Sequence, residues 1–123
     1  FVENGLDKAI KAGVPAAKLI SGVPFYTRLW KTEGANQSSE TIGMDVAQAW
    51  IDNRGLTPSW NDEACQYYIK FEDGTAVYQM WLEDKESLGA KLSVMSANNL
   101  AGVAVWQLGY GESFAWNAIN KYY

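Results

Sequence analysis

The chain has 123 residues, 48% of them hydrophobic and 20% charged, with a net charge of −4. That is enough for one core and too little for two large domains. No two Lys or Arg are adjacent and no apolar run approaches the ~20 residues of a membrane helix, which argues against nucleic acid and membrane as partners.

There is no His, so Ser–His and Cys–His nucleophile pairs and His-ligated metals are excluded, leaving carboxylates and Tyr as acid–base groups. Cys65 is alone and no internal disulfide can form. No cofactor is implied. The chain opens Phe1-Val2-Glu3-Asn4, without an initiator Met or a signal-like run, and reads as a piece of a longer protein.

In chain order, Val2, Leu6, Ala9 and Ile10 share one helical face, Gly13 stops that helix and Pro15 follows it. Lys18 to Tyr26 reads as a buried strand, and the polar stretch Lys31 to Ser39 as a loop. Met44, Ala47, Trp50 and Ile51 have helical spacing, with Gly55 as terminator. Cys65, Tyr67, Ile69 and Phe71 alternate with polar or amphipathic residues as in a half-buried strand, which turns Cys65 inward as an inert thiol.

Asp73-Gly74 matches a two-residue hairpin turn, and Ala76 to Leu82 is the returning strand. Asp84 is a good N-cap for a helix burying Leu88, Leu92 and Met95, ended by Asn98-Asn99. Leu100 to Leu108 is a second buried strand, and Phe114, Ala118 and Tyr122 face inward from a last helix. The two apolar strands end in aromatic and polar residues, the pattern of parallel strands whose C-terminal ends open into a ligand site.

Three stretches, Gly22-Val23-Pro24-Phe25-Tyr26-Thr27-Arg28, Trp81 to Leu88 and Gly102 to Gln107, together resemble glycoside hydrolase family 18, the chitinase-like family. Gly22, Pro24, Tyr26 and Arg28 fit its Gly-x-Pro-x-Tyr-Gly-Arg stretch on the seventh barrel strand, with Thr27 where Gly is commoner. Trp106, within Gly102-Val103-Ala104-Val105-Trp106-Gln107, is similar to the Trp that ends the eighth strand. Trp81 to Leu88, with Lys91 one turn on and Trp116 in the last helix, most resembles the bacterial spore-cortex and cell-wall branch.

The resemblance implies an α/β fold: the C-terminal quarter of a (β/α)8 TIM barrel, its last two strand–helix units, carrying a small α+β insertion. Residues 1–30 would be a barrel helix and the seventh strand, 31–81 the insertion, and 82–123 the seventh helix, eighth strand and final helix. It also implies hydrolysis of N-acetylglucosamine-containing glycan, peptidoglycan or chitin, by a substrate-assisted retaining route. The location implied is extracellular, cell envelope or spore. The family's acidic motif, Asp-x-x-Asp-x-Asp-x-Glu, is not among these residues. No catalytic residue is therefore assigned within them. The alternative is a lectin-like or scaffold module, a catalytically inactive relative that binds carbohydrate.

The residues expected to bind sugar are Trp106, Tyr26, Arg28 and Trp30. Trp offers a flat apolar face with an N–H at its rim, and Arg offers several donors for hydroxyls. The acidic pairs Asp62-Glu63, Glu72-Asp73 and Glu83-Asp84 lie at turns or helix starts, where carboxylates cap and solvate. Trp60 and Trp81 are expected in the insertion's own core. Two strands cut from a closed barrel would leave Val23, Phe25, Val103 and Val105 partly exposed, so the fragment is expected to self-associate.

Overall fold

A computed structural model describes residues 2–123. Among the described residues four α-helices and seven strands follow in the order α1 (Val2–Lys11), β1 (Ile20–Pro24), β2 (Tyr26–Glu33), β3 (Ser38–Gly43), α2 (Met44–Arg54), β4 (Ser59–Asn61), β5 (Gln66–Asp73), β6 (Ala76–Trp81), α3 (Lys85–Ala97), β7 (Gly102–Trp106) and α4 (Ser113–Tyr122), with a short 3-10 turn at Ala16–Lys18. Strands β1 and β7 form a two-stranded parallel sheet, and the other five form an antiparallel sheet ordered β3-β2-β6-β5-β4. The parallel pair does not close into a barrel within this chain.

Each sheet has its own core. Val23 and Phe25 pack with Leu88, Leu92 and Met95 of α3 and with Ala115 of α4. Leu29, Ile42, Ile69, Phe71 and Met80 line one face of the antiparallel sheet against Ala47 and Ile51 of α2. Asp84 caps α3 through a reciprocal box with Ser87, and Gly55 ends α2 in the left-handed conformation. A close approach makes glycine necessary at position 111, where a Cβ would lie 2.7 Å from Cε2 of the Phe25 ring.

Five expectations are corrected. The polar stretch Lys31 to Ser39 is a hairpin, because β2 runs on to Glu33 and β3 starts at Ser38; its outer face is open to solvent, so polar residues are compatible with strand there. Cys65 is exposed, at a positive φ of 50° in the turn before β5, and the strand begins at Gln66. The hairpin turn is Gly74-Thr75 rather than Asp73-Gly74, since Asp73 pairs with Ala76 and Gly74 takes the positive φ. Trp60 and Trp81 are exposed on the antiparallel sheet instead of filling its core. Val23 and Phe25 are fully buried, because α3 and α4 cover that side of the parallel pair.

What the parallel pair leaves open is its other face. Ile20 and Gly22 of β1 lie in register with Gly102 and Ala104 of β7, and Pro24 with Trp106. Ile20 and Trp106 are 65% and 66% exposed there, so this face presents its apolar surface outward.

Candidate functional site

The site begins where the two sheets meet. Phe25 separates β1 from β2, and its N–H donates to the Trp106 carbonyl at 2.7 Å, fastening the end of β7 to that corner. Trp106 is the last residue of its strand and stands on the open face beside Pro24. An open depression of about 340 Å³ lies against it, lined by Gly22, Pro24, Tyr26, Ala104 and Trp106 among others. A larger depression, about 490 Å³ between α1 and β1, is lined by no aromatic residue and no carboxylate.

From Tyr26 the chain enters β2, where alternation sends Thr27 and Leu29 inward and Arg28 and Trp30 outward. The Arg28 Nε–H donates to Ser39 Oγ at 3.1 Å, and its guanidinium sits 5.2 Å from the centre of the Trp30 ring. Among the described residues no carboxylate pairs with Arg28. The guanidinium therefore keeps donors free for an incoming oxygen.

Sequence reasoning found the next two strands, β6 and β5, but missed that their aromatic residues share this face. Arg28 is in register with Trp81 of β6, and Trp81 with Tyr68 of β5. The Tyr68 and Trp81 rings are 4.7 Å apart, and the Tyr68 hydroxyl donates to Gln79 Oε1 at 2.8 Å. Gln79 Nε2 in turn donates to Thr32 Oγ1 at 3.2 Å. The outcome is an outward face of Arg28 and Trp30 on Tyr26's strand, Trp81 and Gln79 on β6, and Tyr68 on β5. The period-two spacing of Gln79 and Trp81 was the available signal; their register against Arg28 was not legible without the sheet.

The acidic pairs lie away from the depression. Asp62 accepts from Trp60 Nε1 at 2.9 Å, and Asp73 pairs with Arg54 at 3.5 Å. Asp84 accepts from the Ser87 N–H at 2.9 Å as the helix cap. Glu83 behaves differently from the solvated acid expected: its side chain is 1% exposed and paired with Lys91. Burial pushes its carboxyl above the usual glutamate value, and Lys91 and the Ser87 hydroxyl only partly offset that. No group of three or more potential metal ligands is clustered among the described residues. No helix among the described residues is long and apolar enough to cross a membrane.

A family model for glycosyl hydrolases family 18 matches residues 1–111. The chain belongs to that family. It is 31% identical to Chitinase A1 of Niallia circulans over 124 residues, covering 87% of this chain and 18% of that protein. It is 23% identical to the cortical fragment-lytic enzyme of Bacillus subtilis (strain 168), covering 84% of this chain and 25% of the relative.

Among solved structures, the spore cortex-lytic enzyme SleL of Bacillus megaterium QM B1551 superposes with a TM-score of 0.88 at 22% identity, over 99% of this chain and 29% of that one. The chitinase of Chromobacterium violaceum ATCC 12472 does so at 0.87 and 27% identity, over 97% and 37%. The chain is thus a mixed α/β segment with the fold of part of a family 18 structure. It spans 18% and 42% of the lengths of Chitinase A1 and a probable di-N-acetylchitobiase of Dictyostelium discoideum, respectively.

Proposed function

We propose that this chain forms part of the sugar-binding cleft of a family 18 glycosidase that hydrolyses N-acetylglucosamine-containing glycan, peptidoglycan or chitin. The carrying observation is Trp106, exposed at the C-terminal end of β7 over a depression that Tyr26 also lines. In this reading the indole face receives the apolar face of a sugar ring, while the Tyr26 hydroxyl and Arg28 guanidinium bond its oxygens. Trp30 and Trp81 continue the wall along the antiparallel sheet.

Residues 1–30 and 82–123 are, on this proposal, the last two strand–helix units of a (β/α)8 barrel. Residues 31–81 are an insertion rooted in β2. The acid that protonates the glycosidic oxygen lies outside these residues, and the substrate's own N-acetyl carbonyl attacks the anomeric carbon. The location that suits such a substrate is extracellular, the cell envelope or the spore.

The purified 123-residue chain should accordingly release no chromophore from a chitobiose or muropeptide substrate. It would lack a general acid–base contribution of about 10²–10⁴-fold and the groups that orient substrate. Turnover by the purified chain that persists through successive chromatographic steps would place a catalytic acid within it and overturn this division of roles.

A further inference from the structure

Glu83 lies in the short connection between β6 and α3, where the two cores abut: Leu82 belongs to the core of the antiparallel sheet and Leu88 to that of the parallel pair. Its backbone N–H donates to Thr27 Oγ1 at 2.9 Å, and Thr27 is buried on β2 between Tyr26 and Arg28. One carboxylate oxygen accepts from the Ser87 hydroxyl of α3 at 2.9 Å. The other accepts from the Lys91 ammonium of α3 and, at 3.4 Å, from Gln66 Nε2 of β5. Gln66 Nε2 also donates to the Leu82 carbonyl at 3.2 Å. A single residue thus ties together β2, β5 and α3.

Taking the ionised form of the pair out of water costs several kcal/mol per ion, and apolar side chains of similar volume often serve stability equally well. Apolar contact is non-directional, however, whereas a fully satisfied set of directional bonds rigidifies and specifies an arrangement. No buried side-chain nitrogen or oxygen among the described residues lacks a partner, so this network is satisfied. The seam it occupies separates Trp106, on the parallel pair, from Arg28, Trp30 and Trp81, on the antiparallel sheet.

We propose that Glu83 is a positioning residue, pinning the antiparallel sheet to α3 and thereby setting the angle between its aromatic face and the Trp106 platform. The geometric part stands on the network alone; the consequence for glycan rests on the site reading given above.

The test uses spin labels at Lys70 on β5 and Asn117 on α4, both exposed, in the full-length natural chain with reactive cysteines, Cys65 included, replaced. The distance distribution should be narrow with Glu83 present and broad or displaced in Glu83→Gln. Ser87→Ala, which removes the hydroxyl that donates to Glu83 and accepts from the Asp84 N–H but leaves the ion pair, gives a second reading should the first variant fold poorly. An unchanged distribution in a folded variant overturns the proposal.

Kinetics on a long N-acetylated glycan give the functional readout. KM should rise by up to about 10²-fold, as a misplacement on the order of 1 Å can cost, with kcat little changed. A purely structural role would lower the melting temperature and leave KM alone. Trp106→Ala, run in parallel, separates the two ideas: if it leaves hydrolysis intact the site reading falls, while the label distances still decide the pin.

Discussion

Lys91→Met keeps the apolar stem of the side chain and removes the charge that faces Glu83. The Lys91 and Glu83 side chains are 18% and 1% exposed, so solvent cannot replace the lost partner. Breaking a buried pair from one side costs about 3–5 kcal/mol when the remaining charge stays ionised. Unfolding entropy near 2.1 cal/mol/K per residue over 123 residues gives about 0.26 kcal/mol/K. The melting temperature should therefore fall by about 12–19 °C at neutral pH.

The pH dependence identifies the cause. The folded Glu83 carboxyl already titrates above its ordinary value of 4.5, because burial outweighs its partners. Below 4.5 the group is protonated in both folded and unfolded states and contributes no penalty. As pH rises through the window above that value the unfolded chain ionises first, and stability is lost until the folded group ionises too.

Removing Lys91 deletes an influence that lowers the folded value, so the variant's window reaches to higher pH. Calorimetry at about pH 4 and about pH 7 should show wild type and variant close together at the first and well separated at the second. Equal losses at both would mean that lost packing, not an unpaired carboxylate, is responsible. No loss at neutral pH would remove the ion pair from the account of the seam.

Gly111→Ala should lower stability by roughly 1–3 kcal/mol, since the new methyl meets the fully buried Phe25 ring; thermal unfolding checks it, and an unshifted transition would show that the loop yields freely. The isolated 123-residue chain should self-associate through the open face of the parallel pair, where Ile20 and Trp106 are 65% and 66% exposed. Sedimentation of dilute protein reads this directly, and a monomer at all concentrations would show that two helices and the antiparallel sheet suffice.

The helices were legible because their signals are local: the cap at Asp84, the glycine at 55 and the apolar spacing of Leu88, Leu92 and Met95 act within a turn or two. The hairpin of β2 and β3 was hidden because one side of its sheet faces solvent, and its polar residues read as a loop. Cys65 continued an alternation by composition, yet its backbone is in the turn and the pairing starts one residue later.

Tyr26, Arg28, Trp30 and Trp106 could be singled out by residue type, although Arg28 and Trp30 lie within β2 and not at a strand end, but Trp81 and Tyr68 could not. Exposed and buried aromatics look alike until the register of β2, β6 and β5 is known. The burial of Glu83 likewise depends on three elements converging. Only its spacing to Ser87 and Lys91, four and eight residues on along one helical line, hinted at it.

Trp106→Ala in the full-length natural chain tests the central claim most directly, with glycan hydrolysis and thermal unfolding measured side by side. In the 123-residue chain, where the indole is 66% exposed, its removal should leave the fold's stability within about 0.5 kcal/mol. Loss of the stacking face should lower kcat/KM by on the order of 1–3 kcal/mol, roughly 5- to 150-fold. Wild-type kinetics in a folded variant would contradict the account and leave Trp106 as surface.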